Sequence, residues 1–243
     1  MIYEKVSEFY DKYKEKKCII GYSFEERNLY ALHVGSDFGK QFIAVYAVHA
    51  REWITSLLAL KHIKTGVCSG GWVIPLLNPD GVNICETRDP LWKANARGVD
   101  LNCNFDADWG QGRLNTKVRG AENCIGDFAA SEPETEALVR FTRRIKPTVT
   151  LSFHTKGGEI YWEYDGKGDK VGADIISRST GYTPKIITGS CGGYKDWCIK
   201  KLDIPSYTVE CGDDSLSHPI KKLTDIKECY NILKDFTNYY GKK

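Results

Sequence analysis

The chain is patterned as short apolar runs that end in polar tips. Four runs, Phe42–Val48, Trp72–Leu77, Thr148–Phe153 and Ser206–Val209, are brief and rich in β-branched and aromatic residues. They read as buried strands. Between them the apolar spacing turns helical. Residues 1–16 suit an amphipathic helix with Val6, Phe9, Tyr10 and Tyr13 on one side. Trp53–Thr65 follows the first strand, and Ser131 with Glu134 makes a capping-box signature for Pro133–Ile145. Tyr194–Leu202 is a further helix. Leu223–Tyr240 is another, with Leu223, Ile226, Tyr230, Leu233 and Phe236 spaced for one face. Strands alternating with helices predict an α/β fold, a largely parallel sheet covered on both sides. No repeat, low-complexity tract or Pro/Ser-rich linker divides the 243 residues, so residues 1–243 read as one domain.

Composition narrows the partners. A net charge of +2 without any basic block gives no reason to expect nucleic acid or an anionic membrane. No run approaches the roughly 20 apolar residues of a membrane span, and Met1–Phe9 lacks the apolar core of a signal peptide. Nine cysteines contain no CxxC pair, which speaks against a cysteine zinc cluster and for buried free thiols in a reducing cytosol. A bacterial cytoplasm is the expected compartment, with a secreted or wall-associated form as the alternative.

The polar tips carry the chemistry. They are His49-Ala-Arg-Glu52, Asn78-Pro-Asp-Gly81, His154-Thr-Lys156 and Glu210. Open α/β sheets bind ligands at the carboxyl ends of their strands, so these tips line one edge. His49 and Glu52, three residues apart, can supply two of the three protein ligands that a catalytic zinc needs. Of the five histidines, His154 is the natural third ligand. His33 lies mid-strand, His62 reads as surface-facing on its helix, and both are weaker candidates, as is His218. One Zn²⁺ per chain is expected. Glu210, at the tip of a buried strand, is placed to take a proton from a bound water.

His49-Ala-Arg-Glu-Trp-Ile-Thr55, Asn78-Pro-Asp-Gly81, Asn95-Ala-Arg-Gly-Val-Asp-Leu-Asn102, Ser131-Glu-Pro-Glu-Thr135, His154 and Glu210 resemble the zinc carboxypeptidase family, in order, over roughly residues 20 to 240. The resemblance implies a mixed sheet of eight strands between helices, zinc on His49, Glu52 and His154, and Glu210 as general base. It also implies substrate contacts by Arg51, upstream of the scissile bond, and by Asn102, at the terminal carboxylate. The chain departs from the family pattern in several places. Cys103 stands where the family carries an Arg that clamps the carboxylate, and a thiol cannot form that bidentate pair. Arg97, Arg113 and Arg119 are close enough in sequence to replace it, and spacing does not choose among them. Lys93 replaces the Arg that polarises the scissile carbonyl and can stabilise an oxyanion as a point charge. Lys195 occupies the position that lines the specificity pocket, where a buried ammonium wants an anionic group on the leaving residue. Thr188 replaces a family Tyr, and Tyr194 is the candidate to serve instead.

Trp92-Lys-Ala-Asn95, Ser152-Phe-His-Thr-Lys-Gly-Gly-Glu-Ile-Tyr-Trp162 and Gly192-Gly-Tyr-Lys-Asp-Trp197 look like the bacterial γ-D-glutamyl-meso-diaminopimelate peptidases. That likeness implies a peptide partner, a peptidoglycan stem peptide cut at its γ-glutamyl bond. A carboxypeptidase releasing acidic or polar C-terminal residues is the alternative, and an inactive relative that binds wall fragments the third reading. Oligomeric state is left open.

Overall fold

A computed structural model describes residues 1–240. Ten strands and seven α-helices follow in the order α1 (Ile2–Lys12), β1 (Lys17–Tyr22), β2 (Asn28–Val34), β3 (Phe42–Tyr46), α2 (Ile54–Thr65), β4 (Gly71–Ile74), α3 (Pro79–Thr87), α4 (Pro133–Ile145), β5 (Val149–His154), β6 (Glu159–Tyr161), β7 (Glu163–Tyr164), β8 (Lys167–Gly168), α5 (Lys170–Thr180), β9 (Thr183–Lys185), α6 (Tyr194–Leu202), β10 (Ser206–Glu210) and α7 (Ile232–Tyr240). Eight strands form one mixed sheet in the order β1-β2-β4-β3-β5-β10-β6-β9, and β7 pairs with β8 outside it. Its centre, β4-β3-β5-β10, is parallel. The eight-stranded α/β expectation holds.

Alternation explains how the central strands are buried twice. On β3, Phe42, Ala44 and Tyr46 join the core under α2, α5 and α7, while Ile43 and Val45 join a second core under α4 and α6. On β5, Val149, Leu151 and Phe153 take the first face. Thr150 and Ser152 take the other, satisfied by hydroxyl bonds to Ser206 (2.6 Å) and Thr208 (3.3 Å) of β10. β3 lies between β4 and β5, so the chain's crossovers leave it in opposite directions, and a crevice opens at that switch point beyond the strand ends.

Four sequence expectations need correction. The first strand stops at Tyr46 because Ala47 enters the left-handed region (φ 47°) and turns the chain toward His49. The capping box on α4 does not form. Its N-cap is Glu132, the Ser131 hydroxyl donates to Glu132 (2.7 Å), and Glu134 accepts from the Phe24 amide (3.0 Å) and from Asn95 (3.1 Å). Tertiary partners have claimed both cap residues. Leu223–Tyr240 is not one helix: Leu223–Asn231 is 3₁₀ and kinks at Ile226 (φ −127°) before α7 begins. His62 does not face solvent. It is 1% exposed, between the Tyr46 hydroxyl at Nδ1 (2.6 Å) and the Cys229 carbonyl at Nε2 (2.7 Å).

Asn78-Pro-Asp-Gly is likewise more than a turn. Asn78 caps α3 by accepting from the Gly81 amide (3.0 Å), with Pro79 at the first helical position. No helix among the described residues is long and apolar enough to cross a membrane.

One tautomer satisfies both partners of His62. The Tyr46 hydroxyl donates to Nδ1, and Nε2–H donates to Cys229. Burial holds its pKa down, at about 4. Folded His62 stays neutral where an unfolded histidine, titrating near 6.5, takes up a proton. Its contribution to stability is therefore complete above pH 6.5 and is lost as pH falls toward 4, on the order of 3 kcal/mol in total. An NMR titration should show the His62 ring still neutral at pH 5.5; a midpoint near 6.5 would contradict the buried bonds.

Candidate metal centre and substrate cleft

Three of the four strand tips converge. After the left-handed Ala47, His49 begins the 3₁₀ turn Ala50–Glu52, whose three-residue period brings His49 and Glu52 to one side. Thr55 clamps this turn by accepting from the Ala47 amide (2.8 Å) and donating to the Glu52 carbonyl (2.9 Å). His154 ends β5, the strand beside β3. His49 Nδ1 lies 2.9 Å from Glu52 Oε1, His154 Nδ1 lies 3.0 Å from Glu52 Oε2, and the two Nδ1 atoms are 3.2 Å apart. All three side chains are buried.

This donor set fits a tetrahedral metal. Bonds of about 2.0–2.1 Å to zinc place neighbouring donors roughly 3.3 Å apart, close to the spacing seen. Asp100 decides the tautomer of His49. Its Oδ1 accepts from His49 Nε2 (3.1 Å) and from the Asn102 amide (3.0 Å), and its Oδ2 pairs with Lys93 Nζ (2.8 Å). Burial opposes the charge on Asp100, yet Lys93 and His49 hold its pKa well below the usual range. Since an ionised carboxylate only accepts, Nε2 carries the proton and the Nδ1 lone pair faces His154. The His49 Nδ1 lone pair lies 2.9 Å from the Glu52 carboxylate, and two such acceptors need a cation between them. When none is bound, a proton serves: burial disfavours imidazolium, but Glu52 and Asp100 raise His49 to about 9.

Glu210 ends β10 opposite His154 in register. Burial and the Glu52 carboxylate raise its pKa to about 8, against the pull of His49 and Lys93. It opens onto a cavity of about 70 Å³ whose walls include Asn102, Tyr161, Lys195, Asp196 and Thr208. Asn102 accepts the Tyr194 amide at Oδ1 (3.1 Å), which leaves its NH₂ group without an acceptor among the described residues. Lys195 is 4% exposed, and its ammonium donates to Asp196 (2.5 Å) and to the Glu163 carbonyl (2.7 Å). The anion expected from a substrate is thus already provided by the next residue. Arg51, on the turn between two ligand candidates, is paired with Glu122 at 2.6 Å.

Tyr194 is a correction. Its ring is fully buried among Phe105 and Trp197 and its hydroxyl bonds Thr142 (2.8 Å), so only its backbone reaches the cleft. As the first residue of α6 it points its side chain into the sheet-facing core. Sequence reasoning missed Asp100, Tyr161 and Asp196. Asp100 opens Asp-Leu-Asn at a 3₁₀ turn that it caps itself, and this N-cap signal was readable. Of the other histidines, His33 bonds Gln41 at 2.9 Å on β2 and His62 lies in the core.

Comparison with known proteins agrees with this geometry. A family model described as zinc carboxypeptidase matches residues 71–185, a span that contains His154 but neither His49 nor Glu52. The γ-D-glutamyl-L-diamino acid endopeptidase 1 of Lysinibacillus sphaericus is 31% identical over 221 residues, 73% of this chain and 56% of that protein. Both matches make the chain similar to the zinc carboxypeptidases, although it spans little more than half the length of the Lysinibacillus protein. Human carboxypeptidase O is 26% identical, over 87% of this chain and 69% of its own length. Among solved structures, bovine thrombin-activatable fibrinolysis inhibitor superposes with TM-score 0.85 at 21% identity, over 99% of this chain and 94% of that one. Murein-tripeptide amidase MpaA from Escherichia coli O157 gives 0.68 at 22% identity, over 93% and 92%. At those identities the structures attest the fold. The family is one of zinc metallopeptidases, and the His49-Glu52-His154 cluster is positioned as a zinc site.

Asp100→Asn should weaken zinc binding about 10- to 100-fold, because the amide no longer fixes the His49 tautomer and orphans Lys93. Competition against a chelator measures this; unchanged affinity would remove Asp100 from the centre.

Proposed function

We propose that this protein is a zinc peptidase that cuts the γ-D-glutamyl-meso-diaminopimelate bond of peptidoglycan stem peptides. The observation that carries the substrate is the Lys195–Asp196 pair in the wall of the Glu210 cavity. Diaminopimelate ends in an ammonium and a carboxylate on one carbon, and a buried cation beside a buried anion is the complement of both. A side chain of single charge would be attracted by one member of the pair and opposed by the other. The name of the Lysinibacillus relative supports the same bond class.

His49, Glu52 and His154 would hold the zinc. When bound, it would lower the pKa of its water and polarise the scissile carbonyl. Glu210, at the end of β10 beside these residues, would take the proton of the attacking water and deliver it to the leaving amine. Lys93, held at the cleft by Asp100, offsets the charge that develops on the carbonyl oxygen. Arg51 contacts the substrate upstream of the bond, and the Asn102 NH₂ meets it downstream. All nine cysteines are free and seven are buried, which supports a reducing compartment in which wall peptides are recycled.

A second reading, a carboxypeptidase for acidic or polar C-terminal residues, would use Lys195 alone. Incubation with L-Ala-γ-D-Glu-meso-diaminopimelate and with α-linked peptides separates the two. We expect release of diaminopimelate from the first; efficient trimming of plain peptides in its place would overturn the stem-peptide reading. Glu210→Gln should lower kcat by at least ~10²-fold with zinc content unchanged. Equal turnover would exclude Glu210 as the base.

A further inference from the structure

The Glu210 carboxylate accepts no hydrogen bond among the described residues. Its place in the cleft is therefore set by its backbone and by packing. That backbone leaves the sheet at once, through Cys211 and Gly212, and is laced to the turn after His154. Gly158 donates to the Glu210 carbonyl, Cys211 to the His154 carbonyl and Gly157 to the Gly212 carbonyl, each at 2.9 Å. Gly158 and Gly212 take positive φ (61° and 86°), which lets the two turns close on each other. One donor of the segment finds no backbone acceptor, the Gly212 amide. It donates to the Tyr182 hydroxyl instead, at 2.7 Å.

Tyr182 comes from a third part of the chain, between α5 and β9. It is buried, and its ring lies beside Gly158, where an added Cβ would stand 3.5 Å from Cδ1. Its own backbone is fixed on both sides. The Tyr182 amide donates to the Thr180 hydroxyl (3.1 Å), and the next amide, of Thr183, donates to the Gly158 carbonyl (2.9 Å). Since the phenol oxygen accepts from Gly212, its proton is left to donate, and Cys229 Sγ lies 3.3 Å away. One hydroxyl thus joins the strand end that carries Glu210 to the buried 3₁₀ segment behind it.

We propose that Tyr182 is a positioning residue for Glu210: its hydroxyl fixes the backbone from which that carboxylate is aimed into the cleft. This rests on the proposed function only in taking Glu210 as the group that moves the proton. A carboxylate held by no bond of its own follows its backbone, and a displacement of about 1 Å at a reacting group can cost on the order of 10²-fold in rate.

A double-mutant cycle on zinc-loaded protein tests this, with turnover expressed per bound zinc. The substrate is whichever of the γ-linked and α-linked peptides named above is cleaved. Tyr182→Phe keeps the ring and removes only the hydroxyl. It should lower kcat about tenfold or more with KM unchanged, and lower it no further in a Glu210→Gln background, where nothing is left to position. In metal-free protein the same substitution should speed solvent exchange of the Gly212 amide about tenfold or more. Tyr13→Phe, which removes a hydroxyl bond to the His33 carbonyl, should leave kcat as it was. Equal losses in both backgrounds would mark a merely structural residue and overturn the proposal, as would a Gly212 amide that exchanges no faster. An unchanged kcat beside an inactive Glu210→Gln variant overturns it and leaves the base in place. Parental turnover by Glu210→Gln removes the base, and the role of Tyr182 with it.

Discussion

The buried Asp100 carboxylate is the interaction on which the site depends. A charge taken out of water must be matched by partners, and Asp100 has three, from three parts of the chain. They are His49 after β3, the Asn102 amide in the following loop, and Lys93 before it. One ionised group thus fixes a ring tautomer, anchors a substrate-facing turn and holds an ammonium at the cleft. The fold makes this possible because β3 and β5 are neighbours whose connections diverge, so their ends are left uncovered.

Much of the centre was legible in the sequence because strands and short turns are local objects. His49 and Glu52 are three residues apart on one turn, and His154 and Glu210 end apolar runs that could only be buried strands. Long-range pairing was not legible. Lys195 shows this: the family resemblance implied its place in a pocket wall, where it lies, but its partner depended on how α6 begins. Gly193 donates to Asp196 (3.1 Å), which swings that carboxylate onto Lys195. Tyr194 failed for a related reason, since the first turn of α6 sets which side chain faces the core. His62 failed because its polar groups find partners only when Tyr46 and Cys229 close around it. The kink at Ile226 leaves no mark in an apolar spacing that suits a helix throughout.

The cleft is polarised along its length. Near the metal centre, carboxylates and cations alternate: Glu52, His49, Asp100, Lys93. At Lys195 and Asp196 the two signs are adjacent, and at Arg113 only a cation remains. The buried charges of this cleft are thus answered by their own neighbours, because an unmatched buried group costs more than a matched one returns, and the cation without such a neighbour, Arg113, is an exposed one.

Rigid and adaptable parts are also separated by origin. The metal ligands and Glu210 sit on strand ends in the middle of the sheet, where a shift would disturb both cores. Lys93 and Asn102, candidates for meeting a substrate, come instead from the stretch between Thr87 and Pro133, which contains one 3₁₀ turn and a single β-bridge, Thr116 to Cys124. That stretch is held by side chains: Asn104 donates to Ile125, Phe128 and Ser131, and the Trp109 ring nitrogen donates to Ile125. Because none of these bonds uses the Cys103 or Arg113 side chain, those two residues can change without breaking them. A thiol can then occupy position 103 while the sheet keeps the metal centre intact. In this architecture recognition and hydrolysis are altered by different substitutions, since few residues serve both. Asp100 and Asn102 are where the two meet.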